Sequence, residues 1–385
     1  MSRSSPPRVA ILVAATDRTG APTVLLHLLR HLTATTDWSF DLVVLRKGEL
    51  HDEFAALGTV HVLGEPDLGP YGDDAARTAA EADDRTRRAL LAGLTDLDLV
   101  YVNTAWSIHA LRYLPEQQGR PVLAAIHELD MDLGDSMPAA SLAELFGRPD
   151  AFIAGAAVIG RALVARYGVD PADVVVIDES IPLPDPGAPG PDRQELGLSP
   201  EAFVVIGAGS PQWRKGIDLF VHVAAAVRRR RPTLALTFRW LGADPEVGHP
   251  DLVTPLADRD RLGLADVVEL LPPTDRVIDH MRRADVFLLT SREDAQPLVA
   301  LEAAAMALPV VCFDNGGIPD ALGSDACTTV AYPDIGAMAD ALIELADAPA
   351  ERRAKGHAGR ARVVMGHDIA TNGDRIRAEI ERWLA

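Results

Sequence analysis

Apolar residues along this chain fall into short continuous runs separated by longer stretches of helical spacing. The runs at 9–15, 40–45, 59–63, 97–102, 121–126 and 151–154 are nearly free of polar residues, as strands covered on both faces must be. Between the first two, Leu25, Leu28, Leu29 and Leu32 recur at steps of three and four, which predicts a helix over 23–32. A polar connection at 47–53, an acidic, Ala-rich loop-then-helix at 68–94 and a short helix at 160–167 complete the first half. The second half repeats the rhythm. Strands are predicted at 203–208, 234–241, 267–271, 284–289, 310–313 and 328–332. Helices are predicted at 217–228, 277–282, 297–308, 335–346, 349–366 and 367–383. Strand and helix alternating in this way describe an α/β chain with parallel sheets.

Residues 181–190 read IPLPDPGAPG, a Pro- and Gly-dense segment that serves as a semi-rigid linker. The expected organisation is therefore a domain over 1–185, a second over 186–366, and a last helix over 367–385. The length of 385 residues gives each domain a full core. Although 48% of the residues are hydrophobic, no run reaches 18 apolar residues, so a spanning helix is not expected. The first apolar run is about seven residues and lacks a small-residue cleavage pattern after it, and so reads as strand one. A net charge of −19 opposes nucleic acid and anionic membranes. Arg228–Arg231 close a predicted helix, where cations are favourable, and read as a solvated face. Two cysteines, Cys312 and Cys327, make no disulfide framework and fit a cytoplasmic location.

Candidate chemistry gathers after the strands, where open α/β sheets bind ligands. The stretch 290–320, TSREDAQPLVALEAAAMALPVVCFDNGGIPD, holds Asp294 in a loop and Glu302 in the helix that follows, eight residues on. Pro297 suits the first helical position. Leu298, Leu301, Ala305 and Leu308 can face the sheet while Glu302 projects elsewhere. Arg214 and Lys215 precede the helix at 217–228, an arrangement suited to an anion. Asn103 and Trp106 follow one strand, and His127, Glu128 and Asp130 another. His27 and His31 share a metal-like spacing, but no third ligand accompanies them, and no metal site is expected.

The stretch 290–320 resembles the retaining, nucleotide-sugar-dependent glycosyltransferases of the GT-B fold known as group 1 or family 4. Their motif places two acidic residues with seven between them in a segment like S-x-x-E-x-F-P-L-x-x-L-E-A-x-A-x-G-x-P-V-V. Ser291, Pro297, Leu298, Leu301, Glu302, Ala303, Pro309, Val310 and Val311 match it. Asp294 takes the first acidic place, Ala295 and Gln296 depart from the usual pair, and Leu308 stands where Gly is frequent. The resemblance is sharp in the second half and weak in the first. It implies two Rossmann-like domains facing across a cleft, with the last helix crossing back to the first.

It also implies roles. Lys215, before Gly216, matches the lysine that holds donor phosphates. The family arginine five residues earlier is Ser210 here; Arg214 either takes its part or covers the sheet edge. Gly209 and Ser210 would line the same loop. Glu302 would accept from ribose hydroxyls, Asp294 and the backbone of Ala295, Gln296 and Pro297 would hold donor sugar hydroxyls beside Leu298, and Leu271 and Pro272 would meet the base. Gly20 and Ala21 match a first-domain loop at the cleft, and His127 would contact the sugar.

The implied reaction moves a sugar from a nucleotide diphosphate, with retention, to a polar, carbohydrate-containing acceptor. The diphosphate charge can be met by Lys, Arg and helix dipoles, so no cofactor is required beyond the donor itself, with UDP-sugars favoured over GDP-sugars. The acceptor would be a small molecule or lipid-linked, rimmed by Asn103, Trp106, Glu128 and Asp130. Membrane contact would be weak and peripheral at most, and no nucleic-acid partner is expected. A GT-B epimerase, a phosphorylase and a non-catalytic sugar-nucleotide-binding subunit are the competing readings.

Overall fold

The structure, a computed structural model, describes residues 5–64, 74–115, 119–129, 142 and 145–384. The chain divides into two compact units, Met1–Glu179 with Ile369–Ala385, and Ser180–Asp368. The divisions at 179/180 and 368/369 stand beside expected ones at 185/186 and 366/367.

Unit 1 is built on seven parallel strands: β1 (Arg8–Ala15), β2 (Ser39–Arg46), β3 (Thr59–Val62), β4 (Leu99–Asn103), β5 (Val122–Ile126), β6 (Ala151–Ala154) and β7 (Val174–Val176). Their order is β3-β2-β1-β4-β5-β6-β7. Strand β7 had no expectation in the sequence. Its three valines sit at the sheet edge, half covered, and too short a run carries no period. The helix Gly20–Thr35 buries Leu25, Leu28, Leu29 and Leu32 in the same core as Val9, Ile11 and Val13. The last helix, Ile369–Leu384, adds Ile376, Ile380 and Leu384 to that core. His31 Nε2 lies 2.9 Å from Asp374 of this helix, which gives the ring a carboxylate partner.

Unit 2 has six parallel strands: β8 (Phe203–Ala208), β9 (Leu236–Leu241), β10 (Val268–Leu271), β11 (Val286–Leu289), β12 (Val310–Phe313) and β13 (Cys327–Val330), ordered β10-β9-β8-β11-β12-β13. Side chains alternate across it, because successive residues of a strand point to opposite faces. Val205, Phe238, Trp240, Leu288 and Val311 enter one core, and Ile206, Leu241, Phe287, Leu289 and Val310 the other. That two-sided burial is why these strands read as unbroken apolar runs. Arg228, Arg230 and Arg231 pair with Asp266, Asp340 and Asp347, so the arginine run is charge-compensated rather than a basic patch. Cys312 and Cys327 are both buried on neighbouring strands, with sulfurs 3.3 Å apart.

The helix of the stretch 290–320 runs Leu298–Ala305, shorter than the 297–308 expected, with Pro297 just before it. The left-handed residue that ends it is Ala307, at φ 59°, not Leu308. The frequent family glycine therefore corresponds to Ala307. The Leu308 N–H closes back on the Ala303 carbonyl at 3.0 Å, the usual way such a turn satisfies the helix end. Gly356 packs against the Ala307 carbonyl, where an added Cβ would come within 1.9 Å.

In each sheet the connection order reverses once, between β1 and β4 and between β8 and β11. Ligand crevices of open α/β sheets open at such points.

Candidate functional site

In unit 2 the polar groups collect beyond β8 and β11, on both sides of the reversal. The loop after β8 makes a short 3-10 turn, Trp213–Lys215, and then Gly216 opens the helix Ile217–Arg230. Gly216 has φ 69°, and a Cβ there would lie 2.1 Å from the Thr290 carbonyl oxygen. Only glycine allows the loop to lie this close to the end of β11. Thr290 Oγ1 donates to the Gly216 carbonyl at 2.9 Å and fastens the two loops together.

Lys215 Nζ thereby reaches Asp294 Oδ2 at 2.6 Å, and Arg214 reaches Oδ1 at 3.2 Å and the Glu293 carbonyl at 3.0 Å. Ser291 Oγ donates to the same Oδ2 at 3.0 Å. Burial alone would raise the Asp294 carboxyl. The two cations and the bonds from Lys215 and Ser291 outweigh it and hold the group below its ordinary range. Asp294 is thus an ionised, acceptor-only group. Arg214 points at the site and does not cover the sheet edge.

The loop itself is held from β12. Asn315 Nδ2 donates to the carbonyls of Ser291 and Arg292 at 2.9 and 2.7 Å, and Gly317 N donates to the Ala295 carbonyl at 2.6 Å. Gly316 lies so close to Asp294 that a Cβ would be 2.1 Å from its carbonyl oxygen. Arg292, which the sequence did not single out, stacks on Trp213 with 4.3 Å to the ring centre and pairs with Asp218 at 2.6 Å. Ala295, Gln296 and Pro297 are buried, and Leu298 is half-buried against the core.

Glu302 lies on the helix Leu298–Ala305 and is half-buried. Burial pushes its carboxyl up to about 7. Gly209 accepts a hydrogen bond from Trp240 Nε1 at 2.9 Å, and Ser210 beside it is exposed. The Leu271 carbonyl already accepts from Gly242 and Ala243, at 3.0 and 2.8 Å, while Pro272 is exposed at the sheet's edge.

In unit 1, His127 follows β5. Its Nδ1 is 2.5 Å from Glu179 Oε1 and its Nε2 3.1 Å from Asn103 Oδ1. Asn103 Nδ2 donates to the Ala21 carbonyl at 3.3 Å. Asn103 is buried and holds its neighbours together instead of forming a rim. Glu128 Oε2 accepts from the backbone N–H groups of His127 and Ala105, at 3.1 and 3.4 Å. Trp106 is half-buried in the 3-10 segment Ala105–Tyr113, and Thr104 before it adopts φ 86°. Open space faces Gly20. Asp130 lies outside the described residues.

Burial would lower the His127 pKa, but the charge and hydrogen bond of Glu179, with Glu128 behind, raise it above the ordinary value. Glu179 was not foreseen. It follows a strand too short to read and precedes the linker, so no pattern flags it. Among the described residues no cluster of three or more His, Cys, Asp or Glu side chains could hold a metal, and no helix is long and apolar enough to cross a membrane.

Two family models match the chain, one over each unit: Glycosyltransferase Family 4 over residues 18–183 and Glycosyl transferases group 1 over 200–348. A D-inositol 3-phosphate glycosyltransferase of Kineococcus radiotolerans is 37% identical over 227 residues, 54% of this chain and 51% of that protein. Its namesake in Actinosynnema mirum is 34% identical over 280 residues, 68% of this chain and 65% of that protein. The matched region thus spans about half of the first relative and just under two thirds of the second. Among solved structures, a glycosyltransferase from Rickettsia africae superposes with a TM-score of 0.79 at 14% identity, over 98% of both chains. Anabaena Alr3699/HepE, in complex with UDP and glucose, superposes with a TM-score of 0.77 at 16% identity, over 98% of this chain and 100% of that one.

Proposed function

Since the chain belongs to the group 1 and family 4 glycosyltransferases of the GT-B fold, we propose that it transfers a sugar from a nucleotide diphosphate donor, with retention, to a polar, carbohydrate-containing acceptor. The observation that carries this reading is the convergence of Lys215 and Arg214 on the ionised Asp294 at the sheet reversal of unit 2. Cleavage of the bond between sugar and diphosphate leaves negative charge on a phosphate oxygen. A lysine and an arginine, already placed and dehydrated, stabilise charge where it develops. Asp294 accepts from hydroxyls of the donor sugar, and Glu302 accepts from the ribose. The acceptor oxygen attacks the anomeric carbon on the face the diphosphate leaves, and its proton passes to the departing phosphate oxygen. Configuration is thereby retained.

Uridine is the proposed base, supported by the UDP in the HepE complex. A polar acceptor is supported by the names of the sequence relatives, which carry a polyol phosphate. Calorimetry with UDP, GDP and ADP, followed by transfer assays with the matching sugar nucleotides and proton NMR of the early product, tests the proposal. One preferred nucleotide and an anomeric configuration like the donor's are expected. Equal, negligible binding of all three, or an inverted product, overturns it.

A further inference from the structure

The polar residues of unit 1 form a line across the C-terminal edge of its sheet, in the spatial order of the strands. Ala21 lies in the first turn of the helix after β1, Asn103 ends β4, His127 follows β5, Gly155 follows β6 and Glu179 follows β7. The line is connected throughout. The Ala21 carbonyl can only accept, so the Asn103 amide nitrogen must face it, which leaves Oδ1 toward His127 Nε2. That nitrogen must then carry a proton. The other ring nitrogen faces the Glu179 carboxylate at 2.5 Å and must carry one as well. We infer that Glu179 is a positioning residue which, together with Asn103, fixes His127 as a doubly protonated imidazolium at the edge of unit 1.

Gly155 makes the pairing sterically possible. A Cβ there would come 2.2 Å from Glu179 Oε1 and 3.3 Å from His127 Nδ1. Its backbone pins both ends: Gly155 N donates to the Ile126 carbonyl at 3.0 Å, and its own carbonyl accepts from Glu179 N at 2.8 Å. Any side chain at 155 would push the carboxylate away from the ring. Among the described residues, the charged and titratable groups that act on His127 and its partner are Glu179, Glu128 on the adjoining turn, and Tyr101 of β4, which lies buried near Glu179. The two carboxylates favour the imidazolium and Tyr101 is neutral, so the surroundings agree with the hydrogen-bond geometry.

A ring with both nitrogens protonated cannot accept a proton. Both of its N–H groups are already given, to Glu179 and to Asn103, so in the proposed transfer, on which this consequence rests, His127 offers positive charge and is not a general base. Activity that needs the imidazolium falls on the alkaline side, as pH rises through its raised pKa. Removing the Glu179 charge lowers that pKa and moves the alkaline limb to lower pH.

The test is an NMR titration of the His127 ring in ring-labelled protein, assigned by comparison with His127→Gln. It is run on the wild type, Glu179→Gln and Gly155→Ala, beside pH–rate profiles of kcat. The wild-type ring should titrate above the ordinary histidine value. The midpoint should fall by about one pH unit in Glu179→Gln, equivalent to about tenfold in proton affinity, and in the same direction in Gly155→Ala. The latter displaces only the flexible end of a side chain, and so keeps the test open where Glu179→Gln fails to fold. Midpoints unchanged in the folded variants would overturn the inference. Failure to transfer from any sugar nucleotide would overturn the proposed function, and the ring titration would still decide this inference.

Discussion

The two units hold charge beyond the C-terminal ends of their strands with opposite signs. In unit 2 a carboxylate, Asp294 beyond β11, is gripped by cations from beyond β8, Lys215 and Arg214. In unit 1 a cation, His127 beyond β5, is gripped by a carboxylate from beyond β7, Glu179. A link crosses the reversal in both sheets, Lys215 to Asp294 in one and Ala21 to Asn103 in the other. The difference lies in how each is built. Unit 2 draws its parts from two short loops that touch through backbone and glycine. Unit 1 draws them from side chains at the ends of three strands. Loops locked backbone to backbone tolerate no added atom, whereas a line of side chains can yield at one end.

The largest expected effect breaks unit 2's backbone lock. Gly216→Ala puts a left-handed alanine 2.1 Å from a carbonyl oxygen that cannot move, and should lower the stability of the protein by about 3 kcal/mol or more, read by urea denaturation. Gly155→Ala meets a movable side-chain tip but loosens a buried pair, and should cost less, about 1–2 kcal/mol. Equal losses would erase the contrast between the units. Next comes Lys215→Ala, which removes one of the two cations on Asp294. UDP affinity by calorimetry should drop roughly 100-fold, the scale of a lost charge-assisted hydrogen bond with an unpaired partner.

Glu302→Gln should have a smaller effect that changes with pH. The folded carboxyl titrates at about 7, against 4.5 for an ordinary glutamate. Between those values the unfolded chain releases its proton first, so stability falls as pH rises from about 4.5 to about 7 and is level beyond. Glutamine carries no such penalty. The variant should therefore melt with the wild type at pH 4 and a few degrees above it, roughly 2–4 °C, at pH 8, while binding UDP more weakly. The smallest effect belongs to Ala307→Gly, which relieves a left-handed alanine at φ 59° and should stabilise by about 0.5–1 kcal/mol.

The same contrast governs what the sequence could tell. The strands at Ala151–Ala154, Phe203–Ala208 and Val310–Phe313 fall where the apolar runs do, because burial on both faces leaves no room for polar residues. Asp294, Pro297 and Glu302 were legible because one loop and one helix carry them in register. Arg292, in a loop with no pattern of its own, was passed over although it anchors Trp213 and Asp218. Asn103 and Glu128 were found as polar residues after strands, yet spacing says nothing about which atom meets which. Here they turn inward, to His127, Ala21 and the backbone. Glu179 was illegible for a further reason: its partner is 52 residues away in the chain, and only the folding of β5, β6 and β7 into one sheet brings the two together.

The Lys215–Asp294 pair has one more consequence. An ammonium that stood bare would gather whatever small anion the medium supplied, and would release a spent diphosphate slowly. This one has its counter-ion built into the chain, 2.6 Å away. An incoming phosphate must compete with Asp294 for the lysine, and a ligand that also offers Asp294 hydroxyl hydrogens competes better than one that does not. Inorganic phosphate brings no such hydroxyls from a sugar, and a nucleotide diphosphate stripped of its sugar has lost them. Under the proposed function the ion pair would act as a valve, closing behind the product and sorting complete donors from the fragments they leave.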